Sequence, residues 1–217
     1  MGRSLPHDMG QRNRDKLGSM LSIVIPTSES ERALVRTLAC LVPGAMAGLV
    51  REVILADAGS RDETAEVGDI AGCRLLPLPG PLGTRLAFAA SSARGEWLLF
   101  LRPGIVLEAD WVAEVSQFID SAQPDVAATF RLAPRPSAPT SLLADMAAVW
   151  RTRRARPGPE RGLLIAKALY REIGDHRDGK DTEAEFFVRI GKRRLVTLRS
   201  GITLPATGGR PILDSVK

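Results

Sequence analysis

The sequence predicts an α/β fold: a single domain on a Rossmann-like, mostly parallel central sheet flanked by helices. Three observations carry this. Up to Leu101 the chain alternates short apolar runs with polar turns and helix-forming stretches, the pattern of parallel strands joined by helical crossovers. The first run, LSIVIP at Leu21–Pro26, is apolar without alternation, which suits a strand covered on both faces. Ionised residues, Asp57 and Arg102, stand directly after such runs, at the strand ends where sheets of this kind bind ligands.

Each element has its own signal. After the first strand, Ser28 and Glu31 have the spacing of a capping box, opening a helix to Leu41 that Pro43-Gly44 and Gly48 should end. Glu52–Ala56 (EVILA) is the second strand, followed by Asp57-Ala58-Gly59-Ser60. Ser60 and Glu63 repeat the capping-box spacing and start a helix to Ile70. Cys73–Leu78 is a shorter third strand, Leu82–Arg94 an alanine-rich helix, and Trp97–Leu101 (WLLFL) the fourth strand, ending in Arg102-Pro103-Gly104. Trp97 and Trp111 are expected in the core.

Beyond this the pattern loosens. Asp110–Ser121 reads as a helix and Val126–Leu132 as a strand. A break at Pro134, Pro136 and Pro139 precedes an amphipathic helix from Ser141, with Leu142, Leu143, Met146, Val149 and Trp150 on one face. An arginine-rich loop, Arg151–Arg161, follows. Then come a strand at Leu163–Ala166, a helix to Glu172, a polar loop with His176, a helix at Thr182–Ile190 and a strand at Arg194–Leu198. Residues 1–19 are polar and without periodicity, and are expected to be a disordered tail. Residues 20–205 form the domain, and residues 206–217 a loose tail.

Composition narrows the function. Hydrophobic residues at 44% and charged residues at 25% exclude a disordered chain. The two cysteines, Cys40 and Cys73, lie in apolar runs with no CxxC or Cys/His cluster, so no zinc ligand set exists. Free, reduced cysteines fit a cytoplasmic protein. No apolar run reaches the roughly 18–20 residues of a membrane span, and the start lacks the apolar core and cleavage site of a signal peptide. The net charge of +5 favours anionic partners. Nucleic acid is not among them: aromatic residues are 5%, with one tyrosine, and no basic stripe is interleaved with stacking side chains.

Four segments, in order, carry a resemblance to a known family. They are SIVIPT (Ser22–Thr27), EVILADAGSRDET (Glu52–Thr64), ARGEWLLFLRPG (Ala93–Gly104), and GLLIAKALYREIGDH (Gly162–His176) with the glutamate-bearing helix and RIGKRRLVTL (Arg189–Leu198) behind it. Over residues 21–200 the chain resembles the family 2 glycosyltransferases of the GT-A fold. The resemblance implies a nucleotide-sugar donor, a UDP-sugar first of all, held by residues 20–104. It implies a glycan or lipid-linked acceptor held by residues 105–205, as in bacterial-type polysaccharide or cell-envelope biosynthesis. Asp57 would accept hydrogen bonds from the base or ribose, Pro26 and Thr27 would line the base pocket, and Asp62 would stand near it. Ser60 and Asp62 equally suit helix N-termini, as cap and dipole partner.

The departures from the family's pattern matter as much. Its metal-binding D-x-D falls on Arg102-Pro103-Gly104, and its Asp-Asp pair on Asp57-Ala58. A divalent ion bridging a diphosphate needs oxygen ligands that arginine cannot supply, so no metal ligand is assigned and a D-x-D-bound metal is not expected. Two readings follow. Either Arg102, with the Arg151–Arg161 loop, neutralises the diphosphate, or the fold has lost transfer and persists as a binding or scaffold protein. The family's general base falls on Glu183, with Asp181 as the neighbouring alternative; both also suit a solvated first helix turn. An asparagine common on the third helix is Ala87 here. His176 could touch an acceptor, although a lone loop histidine is ordinarily exposed. Trp150 beside the arginine cluster suggests an anionic membrane surface, hence a place peripheral to the inner membrane, or else a helix packed on the sheet. A nucleotidyltransferase of similar fold would need a glycine-rich basic loop where Thr27-Ser28-Glu29-Ser30 stands.

Overall fold

The first strand, β1 (Leu21–Thr27), is the axis of the fold: Ile23, Val24 and Ile25 are fully buried, as a non-alternating apolar run requires when both sheet faces are covered. In this computed structural model, which describes residues 21–121, 125–133 and 158–204, the chain then forms α1 (Glu31–Met46), β2 (Val50–Asp57), α2 (Thr64–Ile70), β3 (Arg74–Pro77), α3 (Leu82–Ser92), β4 (Trp97–Phe100), β5 (Val106–Leu107), α4 (Trp111–Ser121) and β6 (Ala127–Leu132). After a 3-10 turn at Pro159–Arg161 come β7 (Leu163–Ala166), α5 (Lys167–Ile173), α6 (Thr182–Ile190), a second 3-10 turn at Lys192–Arg194 and β8 (Leu195–Thr203). One sheet of eight strands results, in the order β3-β2-β1-β4-β7-β6-β8-β5. The β3-β2-β1-β4 part is parallel throughout, and β7 joins β4 antiparallel. The chain moves outward from β1 to β3 and returns to β4 on the other side of β1. Right-handed crossovers then put α3 on the face opposite α1 and α2, and the strand order reverses between β1 and β4, the point where sheets of this kind form their ligand crevice.

The lower ends of the strands are tied by a polar knot. Ser22 Oγ donates to Glu52 Oε1 (2.8 Å), Gly95 N–H donates to Ser22 Oγ (2.9 Å), and Arg94 N–H donates to Glu52 Oε1 (2.6 Å). Arg74 lies 3.3 Å from the other oxygen of Glu52. The turn before β4 is thereby pinned to β1 and β2.

Three elements differ from expectation. Helix α1 runs through Pro43 to Met46 because its end is packed and not free. Gly44 is buried, a Cβ there would lie 2.4 Å from the Trp111 ring, and Trp111 Nε1–H donates to Cys40 O (2.9 Å). Strand β8 extends to Thr203, pairing with β6 on one side and with the two-residue β5 on the other. His176 is buried, 5% exposed, and not a surface residue. Its Nδ1 lies 2.8 Å from the Tyr170 hydroxyl, and its ring centroid 5.0 Å from Phe100 and 4.4 Å from Phe186. The cause is the left-handed Gly174 (φ 89°) capping α5, which folds the loop inward. Arg189 holds it there by donating to the carbonyls of Ile173 (3.1 Å), Gly174 (2.9 Å) and Asp175 (2.6 Å).

Trp97 and Trp111 are buried in the core as expected, while Cys40 and Cys73 are free and half-buried. Burial pushes both thiols up, Cys73 to about 11. The proline break, the helix expected from Ser141 with Trp150, the arginines from Arg151 to Arg156 and the two tails lie outside the described residues. Arg161, the last of that cluster, is buried. Among the described residues no helix is long and apolar enough to cross a membrane.

Burial first, and the nearby Arg189 charge second, push the His176 pKa down to about 3. Between the ordinary value of 6.5 and about 3, the unfolded chain binds a proton that the folded one refuses. Stability therefore falls as pH falls through that window. His176→Phe should flatten this part of the pH dependence of Tm; a slope equal to wild type would contradict it.

Candidate functional site

Thr27 and Asp57 end β1 and β2 side by side in register, and the sequence Asp-x-Gly-Ser turns back onto the carboxylate. Thr27 Oγ1–H donates to Asp57 Oδ1 (2.8 Å), as does Ser60 Oγ–H; Gly59 N–H (2.8 Å) and Ser60 N–H (2.7 Å) donate to Oδ2. Gly59 has φ +94°, a conformation that costs glycine little. A carboxylate has about four acceptor sites, and all four of these are taken by the chain. Asp57 is also only 4% exposed. It stands at the strand end as expected, and these bonds fix the turn that follows β2.

Asp62 is likewise drawn into the fold. Its Oδ2 accepts from Glu31 N–H (3.1 Å) and its Oδ1 from Thr64 N–H (3.0 Å), so one side chain caps both α1 and α2. Ser30 N–H donates to Thr64 Oγ1 (2.9 Å), Glu29 N–H to Ser60 Oγ (3.0 Å), and Arg61 N–H to Glu29 Oε1 (2.8 Å). Neither expected capping box forms. The residues before the two helices are Ser30 and Glu63, without side-chain caps of their own; Asp62 caps α1 from the opposite loop and α2 from its own. The β1 and β2 loops are therefore tied to each other, beside the point between the ends of β1 and β4 where the strand order reverses.

On that side the Arg102-Pro103-Gly104 turn is anchored to α1. Gly104, at φ +91°, donates its N–H to Ala33 O (3.1 Å) and Thr37 Oγ1 (2.8 Å). From this turn Arg102 reaches α6: its Nε–H donates to Glu183 Oε2 (2.9 Å), and Nη2 donates to the same oxygen. The arginine side chain is 40% exposed, the glutamate 9%. Two residues expected in different roles, at diphosphate and at acceptor, are thus paired. Thr27 (1% exposed) and half-buried Pro26 end the neighbouring strand. Asp181 is exposed at the start of α6 and lines, with Arg177, Glu185 and Arg189, an open concavity of about 450 Å³ that Glu183 does not line.

Arg85, on α3, was not singled out by its sequence, where an arginine in a helix reads as a surface residue. The available signal is its place four residues before Ala89, on the buried face of the helix. Its Nη1 donates to Thr27 O (3.0 Å) and Ala56 O (2.8 Å). Burial lowers its pKa, and the Asp57 charge works the other way. The loop after α5 clasps the start of α3. Thr84 N–H donates to Asp178 Oδ1 (2.8 Å), and a Cβ on Gly83 would lie 2.4 Å from the Arg177 carbonyl carbon. Among the described residues no three His, Cys, Asp or Glu side chains gather as a metal site.

Burial works to raise the Asp57 pKa, but the bonds from Ser60, Thr27 and Gly59 outweigh it and hold the carboxyl below the ordinary 3.8. Its stabilisation is present above that value and lost as pH falls through the folded pKa. Asp57→Asn should cost roughly 1–3 kcal/mol near neutrality, with the gap to wild type closing on acidification. Denaturant titration at several pH values tests this, and a pH-independent gap would contradict it.

A family model described as glycosyl transferase family 2 matches residues 22–174. No curated protein matches the chain. Among solved structures, the chain is similar to glucosyl-3-phosphoglycerate synthase from Mycobacterium tuberculosis, solved with Mn2+, uridine diphosphate and glucosyl-3-phosphoglycerate. The TM-score is 0.66 at 18% identity, over 97% of this chain and 80% of that one. It is also similar to residues 1–349 of S. aureus TarS in complex with UDP-GlcNAc, with a TM-score of 0.66 at 18% identity, over 88% of this chain and 60% of that one. Full TarS is matched over 37% of its length. The sheet order, the crevice beside β1 and a family match running through both halves agree: this chain belongs to glycosyl transferase family 2 and has the GT-A fold.

Proposed function

We propose that this protein is a glycosyltransferase that moves a sugar from a nucleotide-sugar donor, a UDP-sugar in first place, to a hydroxyl of a glycan or lipid-linked acceptor. Arg102 stands against the diphosphate in place of a D-x-D-bound metal. The observation that carries the reading is the Arg102–Glu183 pair beside the β1–β4 crevice. A uridine donor is supported by the two solved relatives, both crystallised with uridine nucleotides.

A divalent ion does not fit this site. The turn after β4 offers arginine, proline and glycine, and the one carboxylate beside it, Glu183, already answers a guanidinium. A guanidinium suits the same task by other means: it stays charged at any working pH and binds phosphate oxygens in a fixed fork. Charge developing on the departing diphosphate would be stabilised by a donor already in position.

Glu183 completes the reaction. While paired with Arg102, its Oε2 is occupied by the guanidinium. Donor diphosphate competes for the guanidinium and frees the carboxylate. Glu183 then takes the proton of the acceptor hydroxyl as that oxygen bonds to the anomeric carbon. The bond from that carbon to the diphosphate oxygen breaks, and the electron pair leaves with the nucleotide. Asp181, exposed and turned to a different concavity, is the less suitable base. One observation favours a second reading, a binding or scaffold protein without transfer: Asp57 and Glu183 are both occupied by the chain itself.

Thermal shift with UDP in EDTA separates the two readings. A hundredfold excess over Kd adds about 2.7 kcal/mol, a rise on the order of 5–10 °C for a chain of this size. The shift should disappear in Arg102→Ala. Glu183→Gln should keep it while turnover falls by about 10²-fold or more. Binding that strictly requires manganese would overturn the metal-free reading; no shift with any nucleoside diphosphate, with or without a divalent ion, would favour the scaffold.

A further inference from the structure

Arg85 is a cation held in place with most of its donors idle. It is 8% exposed, and only Nη1 is engaged, between the carbonyls of Thr27 and Ala56. Its Nε is enclosed without a partner. Among the described residues no carboxylate forms an ion pair with it. The nearest acid in charge terms is Asp57, whose oxygens are taken. Bridging two carbonyls needs only two N–H groups, which a neutral amide also has. A guanidinium enclosed with unused donors and uncompensated charge is a costly choice for that task alone, and a suitable one for receiving an anion.

Its place says which anion. Thr27 ends β1, and β4 is the neighbour of β1 on the side away from β2. The chain leaving β4 is still bonded to β1 at Leu101 N–H to Val24 O, so Arg102 rises beside the same strand end. Adjacent strands lie about 4.8 Å apart; Arg85 is bonded to carbonyls near the ends of β1 and β2, and Arg102 follows β4 on the other side of β1. Arg102 is neutralised by Glu183 and Arg85 by nothing in contact.

We propose that Arg85 is the second cation of the donor site: it binds an anionic oxygen of the diphosphate first, and so delivers the group that draws Arg102 away from Glu183. The proposal rests on the metal-free reading above and deepens it. Arg85 does not touch the reacting atoms; it positions the leaving group.

The test is calorimetric titration of the full chain, in EDTA, with UDP, inorganic pyrophosphate and uridine. Arg85→Met should weaken pyrophosphate and UDP at least tenfold and leave uridine unchanged, with Arg85→Lys between. Wild-type pyrophosphate affinity in folded Arg85→Met would overturn the proposal, and so would lost uridine binding with pyrophosphate intact, which would make Arg85 a reader of the base. Should neither variant fold, the wild-type protein still answers. The enclosed Arg85 Nε–H gives a side-chain 15N resonance that pyrophosphate should shift and uridine should not; an unmoved resonance overturns the proposal. Failure of wild type to bind UDP or pyrophosphate at all would bring down the metal-free reading itself, whereas unaltered binding in the Arg85 variants sinks only this inference.

Discussion

A carboxylate enclosed without a cation in contact persists only if hydrogen-bond donors answer its charge, and Asp57 is answered by four. Two come from the backbone of its own turn and two from hydroxyls, one of them across the strand pair at Thr27. The rest of the upper sheet follows. With the second loop fixed, Ser60 and Asp62 face the first loop and supply the bonds that start α1 and α2. The residue that the family pattern offers to a nucleoside thus also holds the loops at the ends of β1 and β2 together.

The two halves of the chain are joined by contacts of the same polar kind. Arg102 reaches from the donor side to Glu183, and Asp178 reaches back to the first turn of α3, where Gly83 leaves room for the Arg177 backbone. Arg189 and the buried His176–Tyr170 pair hold the intervening loop to α5. Glu183 is thus placed by packing on one side and by charge on the other. Removing Arg102 would leave a nearly buried carboxylate without its cation.

Much of this was legible in the sequence, and the failures have a common origin. The continuous apolar runs located β1, β2 and β4, and the periodicity of Thr182–Ile190 located α6, because those signals are set by burial alone. Asp57 and Arg102 stand out singly by residue type and place at strand ends, and Glu183 by the family resemblance. Their partners were not legible, since Arg102 and Glu183 are 81 residues apart and nothing local encodes their meeting. The two S-x-x-E spacings misled because a capping box is a rule about one loop, and here a single acceptor, Asp62, meets the first N–H groups of both helices. His176 looked exposed because Tyr170, Phe100 and Phe186 close around it only after the chain turns at Gly174. Arg85 was overlooked because a long polar side chain on a buried helix face contradicts ordinary patterning, and such contradictions concentrate where a protein does something other than fold.

Replacing metal ligands by an arginine also changes how a site rests when empty. Paired carboxylates at a strand end repel one another and the incoming diphosphate until a divalent ion arrives, so they depend on a third component. An arginine carries its charge permanently and in low-dielectric surroundings must be answered by something. The fold answers Arg102 with Glu183. In the reaction proposed above, an incoming diphosphate would exchange places with the glutamate at the guanidinium, so the event that seats the leaving group would release the carboxylate. Anion exchange at one arginine would then do what metal loading does at a pair of aspartates: make competence for transfer conditional on the donor being there.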